Sequence, residues 1–273
     1  MFANMKCKQF VLSQFVFVLS VLLYGCEKHP ITSDGEQDSR YPTTLYPISQ
    51  EKIQQLQSEF DSLNNFKICS KINNYGFIGN ERYNRVYQNI PISRDDAFLL
   101  AVNSLLKNAK YVNIEDSISL LASSHSTYQI DVEGTKWKII FGPQIYCGFE
   151  IPYTWINVWI YGNEPYAITG HWYSEAYFPP KYTFNKEDVQ KGIIGEGLIW
   201  YDIAGKPQEF VVAEESIGEE IVNAIIPIET ENSIELRITW KIPIKFSANF
   251  IGWHIYIDVM CGEIVKIVQE FVT

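Results

Sequence analysis

The chain has 273 residues, a formal net charge of −10 at pH 7, and 47% hydrophobic and 15% aromatic residues. So acidic a chain repels nucleic acid and anionic lipid headgroups, which argues against a nucleic-acid partner. The apolar content is enough for a buried core, and the length allows one large domain or two small ones.

The first 25 residues have the pattern of a secretory signal peptide. Lys6 and Lys8 precede an apolar run over residues 10–24, which is too short to span a bilayer comfortably. The run ends in Leu23-Tyr24-Gly25-Cys26, which resembles a bacterial lipobox. That resemblance implies a lipoprotein whose signal is cut before Cys26 and whose thiol carries the lipid, so that palmitate labels it. A plain secretory signal and a single anchor helix are the alternatives.

Residues 26–46 are predicted to be a flexible tether, because they are polar and show no periodicity. Twenty such residues span roughly 25 Å, enough to lift a domain clear of the headgroups. Asp34, Glu36 and Asp38 resemble the acidic patch that sends Bacteroidetes lipoproteins to the outer face of the outer membrane. The resemblance implies surface display on the outer membrane, although the solvated linker of a periplasmic lipoprotein would look the same.

Three cysteines remain once Cys26 carries the lipid: Cys69, Cys147 and Cys261. No two of them have a metal-like spacing, and an odd number allows at most one disulfide. We expect all three to be reduced and mostly buried.

Two amphipathic helices are predicted in the first half of the chain. Residues 47–90 comprise the first helix, with Ser49 as its N-cap, followed by an irregular connection. Its apolar stripe consists of Ile53, Leu56, Phe60 and Leu63. The second helix is predicted to begin after Ser93, with Asp96 completing a capping box, and to run to about Lys107.

Strands with alternating apolar residues follow these helices. They are predicted in residues 129–141 and 154–161, and again in residues 234–244 and 253–259.

A tight turn is predicted at Cys261-Gly262-Glu263, before a last strand. Gly262 can take a positive φ without strain. We expect the Asp258 carboxylate to cap this turn by accepting backbone N–H bonds, and to have no catalytic role. Gly262 and Glu263 are likewise interpreted as structural residues.

The tail, Trp253-x-Ile255-x-Ile257-Asp258-x-x-x-Gly262-Glu263-Ile264, resembles the end of a PepSY or peptidase-propeptide domain. The helix after Ile92-Ser93, with its acidic pair and alanines four residues apart, is similar to the opening helix of such domains. The resemblance implies an α+β fold of antiparallel sheets, each packed by one or two helices. We predict two PepSY-like units in tandem, a degenerate one over residues 91–182 and a second over residues 183–273.

Sequence motifs for catalysis or metal binding are absent. The histidines, at positions 29, 125, 171 and 254, form no His-x-His or His-Glu-x-x-His arrangement. Neither a nucleophile elbow nor a nucleotide-binding glycine pattern occurs. We therefore expect no metal, no cofactor and no enzymatic activity, while a triad assembled from distant residues stays open.

An aromatic segment near residues 170–182 is the candidate binding site. Its members are His171, Trp172, Tyr173, Tyr177 and Phe178. Exposed aromatic rings can stack on sugars or anchor a peptide. The alternative is that these rings fill the boundary between the two units. Together these features predict a noncatalytic lipoprotein that binds an envelope protein, a peptide or a glycan. The propeptide resemblance instead implies an inhibitor or chaperone of a separate peptidase.

Overall fold

The computed structural model shows an α+β fold in residues 40–81, 86–114, 120–121, 123–201, 206–247 and 250–270, the parts of the chain that it describes. The predicted signal peptide, the predicted lipidation site Cys26 and the part of the predicted tether up to residue 39 lie outside these ranges. Within these ranges, no helix is both long enough and apolar enough to cross a membrane.

Four helices and fifteen strands make up the regular structure of the described residues, apart from one short 3-10 turn. The helices are α1 (Gln50–Leu63), α2 (Arg94–Lys107), α3 (Ala109–Val112) and α4 (Lys186–Gly192). The strands of the first half are β1 (Thr43–Leu45), β2 (Ser70–Ile72), β3 (Ile78–Glu81), β4 (His125–Gln129), β5 (Lys136–Phe141), β6 (Gln144–Tyr146) and β7 (Phe149–Ile151). Those of the second half are β8 (Ile156–Tyr161), β9 (Glu164–Thr169), β10 (Gly197–Tyr201), β11 (Pro207–Val211), β12 (Val222–Glu229), β13 (Ile234–Ser247), β14 (Phe250–Asp258) and β15 (Ile264–Gln269).

Helix α2 packs on an antiparallel sheet with the strand order β4-β5-β8-β9. The helix begins and ends where the sequence predicts, and the Ser93 hydroxyl accepts a hydrogen bond from the Asp96 backbone N–H at 3.1 Å. The small residues Ala97 and Ala101 are buried, so the helix can approach the sheet closely. The sheet contributes alternate buried residues of β5 and β8 to this core: Trp137, Ile139, Phe141, Ile156, Val158 and Ile160.

The larger sheet has the order β15-β14-β13-β12-β7-β6, with β1 paired to the first residues of β13. Strands β13 and β14 form a long antiparallel hairpin, as their alternation predicts. Helix α4 buries Val189 in the apolar core of this sheet. That core also includes Ile242, Ile244, Trp253, Ile255 and Ile257.

The same order of elements occurs twice in the described chain. Helix α2 precedes the meander β4, β5, β8 and β9, and helix α4 precedes the meander β12, β13, β14 and β15. A hairpin is inserted in each of these two runs: β6–β7 lies between β5 and β8, and β10–β11 lies between α4 and β12. The β6–β7 hairpin joins the larger sheet through the parallel pair Ala224 and Glu150. The boundary between residues 182 and 183 and the PepSY-like character of the units stay predictions.

The end of the predicted tether is part of the larger sheet. Strand β1 pairs with β13, with Thr43 opposite Leu236 and Leu45 opposite Ile234. Thr43 is buried, and its hydroxyl accepts a hydrogen bond from the Tyr177 backbone N–H at 2.6 Å. Three residues are too few to produce a period-two signal, so the sequence shows only polar composition here.

The cysteines differ in burial from the prediction. Cys69 is buried, whereas Cys147 and Cys261 are exposed. Cys147 has a φ of 49° between β6 and β7, and Cys261 lies in the turn after β14. Turns run over the surface, so a cysteine in a turn is not a core residue.

Candidate functional site

The predicted aromatic segment lies mostly in the interior. Trp172 and Tyr173 are only 4% and 8% exposed, and they enter different apolar cores. The Trp172 indole N–H donates to the Thr154 carbonyl at 3.0 Å. The Gln144 side chain exchanges two hydrogen bonds with the Tyr173 backbone, at 2.7 and 2.8 Å. Burial removes both rings from the surface, as expected for rings with a packing role rather than a binding role.

His171 lies beside these residues and is also largely buried. Its ring stacks on Phe77 with 4.4 Å between centroids and meets Tyr173 edge-on at 5.2 Å. Burial lowers the pKa of His171 to about 4, only partly offset by a hydrogen bond to the backbone of Ile78. Its Nε2 atom is buried without a hydrogen-bond partner within the described structure. His171 is therefore neutral at pH 7 and is packed rather than presented to a ligand.

Tyr177 and Phe178 are half-buried and pack on the chain itself. The Arg40 guanidinium lies 4.1 Å from the centre of the Tyr177 ring. The Phe178 ring lies 5.0 Å from Phe149 and 6.4 Å from Tyr146, centre to centre. The predicted site residues thus form no common exposed patch.

The turn after β14 is organised by Asp258, which is 1% exposed. Its Oδ1 atom accepts hydrogen bonds from the backbone N–H groups of Met260 at 2.7 Å and Cys261 at 3.2 Å. Its Oδ2 atom accepts hydrogen bonds from the Arg237 guanidinium at 3.1 Å and from the Tyr41 hydroxyl at 3.3 Å. Burial raises the pKa of Tyr41, so this phenol stays protonated and can donate. Gly262 has a φ of 73°, the conformation expected for this turn.

A second aromatic group lies at the turn between β8 and β9. Tyr161 and Tyr166 stack with 4.1 Å between centroids and 20° between planes. Tyr87, from the connection before α2, lies 4.6 Å from Tyr161. Tyr87 and Tyr161 border an open cleft of about 350 Å³, here called the tyrosine cleft, lined by Val86, Tyr87, Gln88, Tyr161, Asn163 and Glu164. This volume is at the small end of the range for ligand sites.

Charged groups at the tyrosine cleft are engaged by neighbours. The Lys136 ammonium lies 5.6 Å from the Tyr87 ring centre and 5.9 Å from that of Tyr161. A hydrogen bond with Tyr87 raises the pKa of Lys136. Lys67 forms an ion pair with Glu164. The cleft is therefore lined by aromatic and amide residues and one carboxylate, with two lysine ammonium groups beside it. Among the described residues, no group of three or more His, Cys, Asp or Glu side chains is placed to hold a metal ion.

Comparisons with known proteins give no functional assignment. No protein-family model and no curated protein sequence matches the chain. Among solved structures, the "Bacillus megaterium YpeB C-terminal domain" aligns over 82% of this chain and 98% of that chain, with 14% sequence identity and a TM-score of 0.31. A TM-score this low does not establish a common fold.

Sequence reasoning missed the tyrosine cleft. Alternation in β8 buries Ile160 and directs Tyr161 to the opposite face, so this outward ring could have been read from the pattern. The position of Tyr87 could not be predicted in this way, because Tyr87 lies in a stretch without periodicity. Gly162 allows the Tyr87 segment to approach the turn. Its φ is 61°, and a Cβ atom at this position would lie only 2.2 Å from the Gln88 carbonyl oxygen. Only glycine lets the Tyr87 segment lie against the turn.

Gly162→Ala is expected to destabilise the fold more than Gly148→Ala. Gly148 has a φ of 83° and open space at the Cβ position, so its substitution costs only the left-handed backbone strain of about 1–2 kcal/mol. Gly162→Ala adds a clash with Gln88, worth roughly 1–3 kcal/mol more. Urea unfolding of both variants measures the difference. Equal losses of stability would show that the contact with Gln88 is not tight.

Proposed function

We propose that this chain is a noncatalytic binding module of a bacterial envelope, fixed to the outer membrane by lipid on Cys26. Its ligand is an envelope protein, peptide or glycan, and the tyrosine cleft is the site that holds it. The observation that carries this proposal is that Tyr87, Tyr161, Gln88 and Asn163 line one concave surface. Such a surface provides both stacking area and directional hydrogen bonds.

Binding without catalysis is supported by the state of the ionisable groups at the tyrosine cleft. Catalysis needs a nucleophile or a general base within reach of a reacting atom. Here the Glu164 carboxylate is paired with Lys67, and the Lys136 ammonium is hydrogen-bonded to Tyr87. These pairs orient the side chains of the site.

Membrane attachment is tested by Cys26→Ala in the full chain. We expect palmitate labelling to disappear and the protein to move from the membrane fraction to the soluble fraction, because the thiol that receives the lipid is gone. Cys261→Ala, which removes an exposed cysteine in the folded part, is the matched control and should leave labelling unchanged. Palmitate labelling that persists in Cys26→Ala would contradict the lipobox assignment.

Ligand binding is tested by affinity capture from detergent-solubilised envelope, using residues 27–273 as bait and mass spectrometry as readout. Tyr87→Ala should lose the captured component, because the mutation removes a ring that lines the cleft. Tyr46→Ala removes a ring that is 70% exposed and does not line the cleft, so it should retain capture. Capture that is unaffected by Tyr87→Ala would place the binding surface elsewhere.

The peptidase-regulator alternative has one structural observation in its favour. Strand β4 is at one end of the four-stranded sheet and, in the described residues, pairs only with β5. An unpaired edge can add a strand from another chain. Under this alternative, Thr127→Pro would abolish inhibition of a captured peptidase, whereas Tyr87→Ala would not.

A further inference from the structure

We infer that the edge strand β15 pairs antiparallel with β15 of a second copy of this chain, so that the two larger sheets become one sheet across a two-fold axis. This inference is independent of the ligand proposed for the tyrosine cleft. It follows from the apolar edge that β15 presents, from the direction of its backbone groups and from two opposite charges along it.

Strand β15 ends the larger sheet as an apolar edge. In the described residues it pairs only with β14. Four of its six side chains are aliphatic, and one of them, Ile267, is 44% exposed. The strand at the opposite end of this sheet, β6, has only three residues, and the edge strand β4 of the other sheet is mostly polar. A long apolar edge is a surface to which another chain can add a strand.

The backbone of β15 alternates between bonding to β14 and pointing away from the sheet. Just after the strand, the Glu270 N–H donates to the carbonyl of Gly252, the residue opposite to it, at 2.9 Å. Hydrogen-bonded pairs recur at every second residue of an antiparallel ladder, so the backbone groups of positions 266, 268 and 270 face β14. The N–H and C=O groups of Ile267 therefore point outward, where a partner strand can bond to them.

Lys266 and Glu270 place opposite charges at equal distances on either side of Val268. Their even spacing puts both side chains on one face of the sheet. When two copies run antiparallel about an axis at Val268, Lys266 of each copy lies opposite Glu270 of the other. At present the Lys266 ammonium lies 4.9 Å from the Tyr153 ring centre, and one Glu270 oxygen bonds to the His254 ring at 2.7 Å. An ammonium has three N–H groups and a carboxylate two oxygens, so each retains capacity for a partner in the second copy.

The same register matches the rest of the edge. Odd-numbered positions lie opposite odd-numbered positions, so the backbone groups that point outward meet each other. The exposed Ile267 side chains of the two copies lie diagonally across the axis on the other face, within reach of contact. A shift by two positions would instead leave Lys266 opposite Val268. Because the edge is complementary to itself, a second copy is the partner that fits it.

Sedimentation velocity of the full chain, in a solvent whose density matches the detergent, tests the pairing. We expect a monomer–dimer equilibrium at concentrations between about 1 μM and 500 μM. Ile267→Pro removes an N–H group that points outward, so it should abolish the dimer while the ladder with β14 remains. Thr127→Pro on β4 is the matched control and should keep the dimer. Its N–H also points outward, because the Ile130 N–H donates to the Lys136 carbonyl opposite to it and even-numbered positions of β4 thus face β5.

Charge reversal tests the register. Lys266→Glu alone and Glu270→Lys alone each place like charges opposite each other at two positions, so each should raise the dissociation constant of the dimer roughly tenfold or more. The double variant Lys266→Glu/Glu270→Lys restores opposite charges and should return to within about threefold of the wild type. Glu270→Lys also removes the contact with His254, and only pairing across the axis predicts recovery in the double variant.

Three outcomes would overturn the inference. The first is a wild-type chain that stays monomeric over the whole range of concentration. The second is a dimer that persists in Ile267→Pro, which would place the interface elsewhere. The third is a double variant that dimerises no better than the single variants. Unfolding curves for each variant must match the wild type, and Tyr87→Ala should leave the dimer unchanged, so the inference and the proposed cleft function fail separately.

Discussion

Replacing Asp258 by alanine should lower the free energy of unfolding by about 3–5 kcal/mol, the cost of breaking a buried ion pair. The substitution leaves the Arg237 guanidinium without one of its two carboxylate partners. It also removes the acceptor for the backbone N–H groups of Met260 and Cys261, which form the turn into β15. Urea unfolding followed by tryptophan fluorescence measures the loss, since Trp253 lies in the adjoining strand β14.

Two companion variants identify which contacts of Asp258 matter. Asp258→Asn retains an oxygen acceptor for the turn while removing the charge opposite Arg237, so it should destabilise less than Asp258→Ala. Glu235→Gln weakens the other, more exposed ion pair of Arg237 and should cost about 1 kcal/mol or less. If Asp258→Ala were as mild as Glu235→Gln, the turn would not depend on this carboxylate.

Stability should fall by roughly 2–3 kcal/mol between pH 7 and pH 4.5 because of His171. Burial lowers its pKa to about 4 in the folded protein, from the ordinary histidine value of 6.5 that applies to the unfolded chain. Below pH 6.5 the unfolded chain takes up a proton that the folded chain resists, so the unfolded state is favoured as the pH falls. Above pH 6.5 both states hold the neutral ring and this contribution is fully present. Urea unfolding at several pH values measures the slope.

His171→Phe is the variant that isolates this effect. Phenylalanine keeps a flat ring against Phe77 but cannot titrate. Its Cζ edge also replaces the buried Nε2 atom that lacks a partner in the described residues, so little is lost at that position. The hydrogen bond to Ile78 is removed, which lowers stability equally at every pH. A slope between pH 7 and pH 4.5 that is unchanged in His171→Phe would assign the pH dependence to other groups.

The α+β fold and its best-defined elements could be predicted because they depend on local patterns. Ser93 and the alanines after it give the bounds of α2, since capping and an apolar face are both encoded within one helix. The alternation in residues 234–259 gives β13 and β14 for the same reason.

The remaining features depend on contacts between distant residues. Trp172 and Tyr173 have the composition of a binding segment, but only the placement of the two sheets decides that they are buried. Tyr87 and Tyr161 are 74 positions apart in the chain, and a single glycine brings their segments together. Neither arrangement leaves a periodic signal, so one sequence cannot predict it.

Strand β1 is the element through which a force applied to the N-terminal side of the chain reaches the larger sheet. Such a force acts first on the contact between Arg40 and the Tyr177 ring. It then acts on the hydrogen bonds between β1 and the 14-residue strand β13. Tension is thus passed to the larger sheet. The tyrosine cleft belongs to the four-stranded sheet and lies off this route. The proposed ligand of the cleft is therefore expected to stay bound while the N-terminal side of the chain is under tension.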